Sequence, residues 1–423
     1  MSVRVCRMSV RAKSKTDLEK FEAAEVTIFF ILIDIQFPND YFRRIKHFSM
    51  QRYIAPKIQE HLSNNPLLLL LGMRGVQSEL LVESVIEDKE QILHLDGSKK
   101  KIIKKLENIQ KGDFIKVFEG KKYVLFKDAQ FFTRLQEMIE EVIYNRYDMH
   151  LVLCCSYEPL IEKMFRDVLR TEGLEMRIYP LMFQEMANQM GVVEFDKRLE
   201  ERLIYGNFPE VLANPENADK YLIGLVKEAV FTHLNPKERI NKGAKLMKLL
   251  QCLAFDLGEP ISYHDLGFRV GLDNETVERY IDLLEKAFIL KKIPSYFNDH
   301  RYELKKTHIV YFMDNGFRNA IIKNFHPLDL RNDVDALWKN WLIAERIKWN
   351  DFNANANTYY FWRTHTRLQM DFIEEKAGQI MAYKSIWDKR RKPKFPLSFK
   401  KYYPEAGQFA LNRSTYWGFL SKK

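Results

Sequence analysis

The residues of this chain whose spacing most clearly suits chemistry are Gly72-Met73-Arg74-Gly75-Val76-Gln77-Ser78-Glu79, directly after the apolar run Leu67–Leu71. A glycine loop between a strand and a helix can cradle phosphate. In the working pattern, G-x-x-x-x-G-K-[ST], backbone N–H groups meet the oxygens, the lysine neutralises them and the hydroxyl ligates Mg²⁺. Counted from Gly72, the second glycine is Gln77, the lysine is Ser78 and the hydroxyl is Glu79. Three of four defining positions have changed, and Glu79 puts a carboxylate where phosphates dock. At about 4 Å and an effective dielectric of 20, one like-charge pair costs roughly 4 kcal/mol. The helix N-terminus returns only about 0.3–1 kcal/mol. Glu79 nonetheless suits a first helical turn, so the plain alternative is a strand-to-helix loop kept for the fold.

The elements that must position this loop are legible in the apolar pattern. Leu67–Leu71 is short and continuously apolar, as in a strand buried on both faces, and Tyr123–Phe126 and Leu151–Cys155 repeat the type. Between Met50 and Pro180 the alternation of such runs with helical stretches predicts an α/β, doubly wound parallel sheet. Residues 186 to about 235 read as helical. Tyr263–Val270, Gly271 and a helix opened by Asp273 form a helix-turn-helix pattern. In its second helix Val277, Tyr280, Ile281, Leu284 and Phe288 make one buried stripe, and Ile289–Ile293 reads as the strand of a wing. From about 331, aromatic strands such as Tyr359–Trp362 alternate with charged loops, a third α/β unit. The expected division is 1–49, 50–185, 186–239, 240–330 and 331–423. Residues 1–49 carry no periodic pattern and are expected to be an extension upstream of a start at Met50, with a short disordered or helical tail as the plain alternative.

Composition bounds the rest. Of 423 residues, 46% are hydrophobic and 13% aromatic, enough for two or three packed domains and against disorder. Lys plus Arg number 67 against 57 acidic residues, a net charge of +10, which points towards an anionic partner. Cys6, Cys154, Cys155 and Cys252 show no paired spacing, which fits a reduced, cytoplasmic setting. The first long apolar run, Val26–Ile33, is far shorter than the roughly 20 residues that span a bilayer. Asp17, Glu19, Glu22 and Glu25 precede it, so neither a signal peptide nor a membrane association is expected.

Several segments, in order from about 50 to 420, resemble a large prokaryotic family of AAA+ P-loop ATPases with a C-terminal domain of unknown function. They are Arg52-Tyr53-Ile54, Gly72-Met73-Arg74, Arg177 to Glu185 (like "LyPLsFxE"), Tyr205 to Glu210 (like "GgfPE"), Tyr280 to Phe288, Tyr311 to Gly316 and Phe361 to Thr364. The resemblance implies a P-loop core (50–185), a helical lid (186–239), a winged helix (240–330) and a restriction-endonuclease-like unit (331–423). It implies ATP and Mg²⁺ as cofactors, held at the loop residues Gly72, Arg74, Gly75, Gln77, Ser78 and Glu79. Assembly with itself or an active relative is a further implication, since AAA+ folds commonly oligomerise.

The family's second motif is an apolar strand ending in Asp-Glu-Ala-Gln. Leu125-Phe126-Lys127-Asp128-Ala129-Gln130 places Lys127 at the Mg²⁺ position and Asp128 at the base; a gapped alignment makes Asp128 the Mg²⁺ carboxylate and loses the base. Asp128 is thus the one catalytic candidate. The sensor position reads Cys154-Cys155-Ser156. In the nuclease-like unit the family carries Glu-x-Asp and Glu-x-Lys strands, where two carboxylates hold a metal. Here Gln369-Met370-Asp371 retains Asp371, while the second strand aligns either with Lys384 at the Glu and Ile386 at the Lys, or with Ala382 at the Glu. One surviving carboxylate is too little for a metal site.

Other polar clusters speak to partners. The second helix of the helix-turn-helix offers Glu275, Glu278, Asp282 and Glu285 against Arg279 and Lys286, a face that repels a duplex and suits protein contact. Basic character lies in Lys99–Lys105 and in Lys389-Arg390-Arg391-Lys392-Pro393-Lys394. With Trp387 and Phe395 beside it, the latter is a nucleic-acid candidate, against the plain reading of a solvated loop. Glu162, His233, His264 and His365 form no ligand spacing. The expected whole is an AAA+-like protein that is hydrolysis-deficient and acts through protein interactions, with nucleic-acid binding or weak ATPase activity as the alternatives.

Overall fold

The computed structural model describes residues 52–118, 120–145, 148–157, 163–233, 243–297 and 307–421, so the expectations for 1–49 and for Glu162 lie outside it. Helix α1 (Ala55–Asn64) leads into β1 (Leu67–Gly72), the glycine loop and α2 (Ser78–Val85). Then come β2 (Ile92–Asp96), α3 (Lys100–Glu107), β3 (Tyr123–Lys127), α4 (Leu135–Tyr144), β4 (His150–Cys155), α5 (Lys163–Glu172) and β5 (Gly173–Ile178). The strands form one sheet in the order β2-β3-β4-β1-β5, every pairing parallel. The apolar run of β1 has a direct cause. Alternate strand residues face opposite ways, so Leu68 and Leu70 pack with Ile58, Leu62, Leu81 and Val82 of α1 and α2. Leu67, Leu69 and Leu71 pack on the other side with Leu106, Met138, Ile139 and Leu169 of α3, α4 and α5. The α/β expectation holds, and the loop follows a central strand as a P-loop requires.

Helices α6 (Phe183–Met190), α7 (Leu199–Tyr205) and α8 (Ala218–Glu228) come next, and α8 folds against the glycine loop. After α9 (Gly243–Phe255) and the short strand β6 (Pro260–Ile261), α10 (Tyr263–Val270) ends at Gly271, whose φ of 73° supplies the left-handed turn. Asp273 then caps α11 (Asn274–Lys286) by accepting from Thr276 N at 2.8 Å. Strands β7 (Leu290–Pro294) and β8 (His308–Phe312) pair antiparallel, with β6 on the far side of β8. The stripe Val277, Tyr280, Ile281 and Leu284 is buried as its spacing predicts, whereas Phe288, expected in it, lies past the end of α11 with φ 58° and is half-buried.

Helix α12 (Asn315–Ile321) and the long α13 (Val334–Phe352) precede β9 (Thr358–Arg363), β10 (Gln369–Lys376), β11 (Gln379–Ser385), α14 (Leu397–Tyr402), β12 (Gly407–Leu411) and α15 (Tyr416–Ser421). The second sheet runs β12-β11-β10-β9, antiparallel except for the parallel β11–β12 pair. Among the described residues no helix is long and apolar enough to cross a membrane.

The segments named above for their family likeness serve as joints. Buried Glu185 accepts Arg52 Nε at 2.9 Å, Tyr53 N at 2.8 Å and Met182 N at 2.9 Å, while Arg52 Nη2 donates to Tyr179 O. Asp314 accepts Asn207 N at 2.8 Å and Phe317 N at 3.0 Å. A side chain at Gly316 would meet the Tyr205 carbonyl at 2.0 Å, so only glycine lets the start of α12 nest on the end of α7. Glu345 of α13 accepts Phe183 N at 2.6 Å, tying the last unit to α6.

Candidate functional site

The glycine loop, the end of β3, the end of β4 and α8 enclose a cleft of about 440 Å³. Gly72, Arg74, Gly75, Gln77, Ser78, Glu79 and Asp128, all expected here, do meet in it. Asp371 and the basic loop Lys389–Lys392 belong to the far unit and do not. Two backbone positions shape the loop. Gly75 has φ 93°. Gln77 has φ 59° and ψ 46° in the left-handed region, where glycine is the usual occupant, and a non-glycine residue there costs on the order of 1 kcal/mol. The Gln77 amide donates to Glu210 Oε2 at 3.3 Å.

The charges in the cleft are paired in a way the sequence did not foretell. Glu79 and Lys127, read separately as two defects, face each other across the loop, with Oε1 and Nζ 3.4 Å apart. Burial disfavours the Lys127 charge, yet Glu79 and then Asp96 outweigh it and raise the ammonium pKa. Arg74 makes a second junction, donating to Asp128 Oδ2 at 2.5 Å and to Glu228 Oε1 of α8 at 2.6 Å. Against its partial burial, Asp128 and Glu228 raise its pKa. Arg74 therefore joins the sheet to α8 directly over the loop. A Cβ at Gly75 would lie 2.8 Å from the Tyr221 hydroxyl, which shows how closely α8 approaches.

Ser156, just past the end of β4, accepts from Gln130 Nε2 at 2.8 Å. Cys154 and Cys155 are buried, and burial raises both thiol pKa values, so neither supplies a thiolate. The ionic lining comprises three cations, Arg74, Lys127 and Lys220, and four carboxylates, Glu79, Asp128, Glu210 and Glu228. Sequence reading missed Lys220, Tyr221, Glu210 and Glu228. They lie some 130 residues or more beyond the loop, and nothing in their local pattern marks them as its neighbours.

In the last unit, Asp371 accepts Ser385 N at 2.8 Å and pairs with Lys339 Nζ at 3.1 Å. Lys384 Nζ donates to the Gln369 carbonyl at 2.6 Å. Glu374, a neighbour on the same strand that the motif reading did not single out, is fully buried. It accepts Arg346 through both oxygens at 2.9 and 3.1 Å, Asn350 Nδ2 at 2.6 Å and Tyr383 OH at 3.1 Å. No group of three or more His, Cys, Asp or Glu side chains placed to hold a metal occurs among the described residues.

Comparison with known proteins adds the following. Residues 196–328 match the model of a family described as a domain of unknown function, DUF8612. That span runs from α7 through α12, whose Asn315 and Asn319 amides donate to the Leu203 carbonyl of α7. An uncharacterized protein of Haemophilus influenzae is 25% identical over 215 residues, 48% of this chain and 53% of its own length. This chain thus spans about half of that relative. Among solved structures, a Walker-type ATPase of Pyrococcus abyssi aligns with TM-score 0.45 and 14% identity, over 63% of this chain and 94% of its own. The Orc1 protein of Aeropyrum pernix, in complex with DNA, aligns with TM-score 0.31 and 12% identity, over 64% and 91%. A signal-transduction ATPase from Pyrococcus horikoshii with a tetratricopeptide-repeat sensor aligns with TM-score 0.28 and 12% identity, over 73% and 46%.

Proposed function

We propose that this chain is an ATPase-like protein of the AAA+ kind whose nucleotide site has become an internal ion-pair lock, and which works through protein contacts instead of hydrolysis. The observation that carries this reading is the Lys127–Glu79 pair beside the Arg74 bridge to Asp128 and Glu228. The hydroxyl and the carboxylate that would hold Mg²⁺ are replaced by Glu79 and Lys127, a pair satisfied within the protein, and Ser78 stands where a lysine would neutralise phosphate. ATP and Mg²⁺, the cofactors the resemblance implies, do not fit this set. Arg74 occupies Asp128, Lys127 occupies Glu79, and the ionic lining carries more negative than positive groups, so a polyphosphate would enter against repulsion.

The other units support contact over chemistry. The α7–α8 region reads as a lid, α9–β8 as a winged helix, and the order helix, three strands, helix, strand, helix from α13 to α15 as a nuclease-like unit with its site lost. On the winged helix, Lys291 pairs with Glu285 at 2.8 Å and Lys292 with Asp282 at 2.6 Å, so the wing is spent on α11 and does not face a duplex. Phe255 and Phe268 on the same unit are 67% and 86% exposed, side chains suited to a protein partner.

The test is phosphate release from Mg²⁺-ATP by the purified chain, alone and with DNA. The expected rate equals that of a protein-free control. A turnover of about 1 per second or faster that disappears in Asp128→Asn would sink the proposal.

A further inference from the structure

The loop between β11 and α14 carries charge that nothing in the protein uses. Lys389, Arg390, Arg391, Lys392 and Lys394 are all exposed, and none has an acidic partner within ion-pair distance among the described residues. The contrast with the cleft is sharp: there Arg74 and Lys127 are matched by carboxylates, here five cations within six residues stand free. The backbone beneath them is nevertheless fixed. Asp388 accepts Arg390 N at 2.9 Å through its carboxylate and Arg391 N at 3.2 Å through its carbonyl. From β12's end, Asn412 Nδ2 donates to the carbonyls of Lys389 and Arg391 at 3.4 and 3.1 Å. Ahead of the turn, Trp387 N donates to Asp335 of α13 at 2.8 Å.

Beyond Arg391 the chain lacks regular structure as far as Pro396, and Pro393 and Pro396 hold it away from helix. Lys389 and Arg390 lie in the turn closed by Arg391 N on the Asp388 carbonyl, and Lys392 and Lys394 follow on the open segment, so the five cations share one short stretch. A short, pre-positioned cluster of cations fits the neighbouring phosphates of a polyanionic strand. It fits an anionic membrane poorly, since the segment has no amphipathic helix to insert.

We propose that this loop binds the phosphodiester backbone of nucleic acid without reading bases. The aromatic side chains near it are committed elsewhere. Trp387 packs edge-on to Trp338 at 5.4 Å between ring centroids and is covered by Arg413 at 4.4 Å. Phe395 is half-buried against the cluster of Trp362 and Phe399. Trp387 and Phe395, which lie beside this nucleic-acid candidate in sequence, are therefore not offered to bases; what remains is charge. The binding surface is separate from the nucleotide cleft, so it stands whether or not the lock reading does.

The experiment is an anisotropy titration of the full chain with a labelled, mixed-sequence duplex, between about 50 and 200 mM salt. Dissociation constants on the order of 10⁻⁶ to 10⁻⁴ M near physiological salt are expected, with log affinity falling linearly in log salt. Arg390→Ala/Arg391→Ala should lower that slope by about 2 and weaken binding at least tenfold. Lys99→Ala/Lys104→Ala, in the other basic run, should leave both unchanged. An unaltered slope in the Arg390/Arg391 variant, with its circular dichroism intact, overturns the proposal. So does displacement of the duplex by poly-glutamate, or by anionic phosphatidylserine vesicles, at equal charge concentration.

Discussion

A chain carrying Gln77→Gly, Ser78→Lys, Glu79→Thr and Lys127→Asp is expected to bind Mg²⁺-ATP at least a thousandfold more tightly than the native protein. Removing the Glu79 carboxylate lifts a repulsion worth about 4 kcal/mol at close range, itself near a thousandfold, and the new lysine adds attraction. A glycine in place of Gln77 relieves a left-handed backbone position. The threonine hydroxyl replacing Glu79 and the aspartate replacing Lys127 restore the oxygen pair that a Mg²⁺ ion needs. The changes must go together. Glu79→Thr alone leaves Lys127 beside Arg74 without its nearest carboxylate, and Lys127→Asp alone packs another carboxylate beside Asp128. Each single variant is expected to be less stable than the native chain and no better at binding. Isothermal titration of the folded quadruple variant decides the matter; affinity no better than the native chain would show that Glu228, Glu210 and the Arg74 bridge already close the cleft.

The second large effect concerns the last unit and separates a structural carboxylate from a relic of chemistry. Glu374→Ala is expected to destabilise the protein by about 3–5 kcal/mol, because it strips the partner from a buried arginine. Arg346, Asn350 and Tyr383 all lose an acceptor at once. Asp371→Asn keeps the size of the group and an oxygen to accept from Ser385 N, and Lys339, 20% exposed, still reaches water. Its expected cost is about 1 kcal/mol or less. Denaturant unfolding of both variants reads the difference directly. Equal losses would mean that Asp371 carries as much of the fold as Glu374 does.

Much of the architecture was legible in the residues because it rests on short-range pattern. The all-apolar β1 announces a strand buried on both faces, and Gly271 with Asp273 announces a turn and a cap. The site was legible only in part. Position counting from Gly72 finds Gln77, Ser78 and Glu79, and an apolar strand finds Lys127 and Asp128. That Glu79 and Lys127 satisfy each other depends on how the sheet brings the loop and the end of β3 together, which no local spacing encodes. The same holds for Arg74, whose second partner Glu228 is 154 residues away. For Asp371 the motif reading pointed at the right strand but passed over Glu374, because an alternating strand hides which carboxylate faces inward until its register is known.

These pairings change the meaning of the departures. Read singly, Glu79 and Lys127 are losses. Read together with Arg74, they are a rearranged set of charges that stabilises the loop, the sheet and α8 with no ligand required. The measurement that tests this most directly is equilibrium binding of labelled ATP, with and without Mg²⁺, to the native chain. The lock reading predicts no saturable binding up to millimolar nucleotide and no change in unfolding midpoint. Micromolar, Mg²⁺-dependent binding that is lost in Asp128→Asn would contradict it.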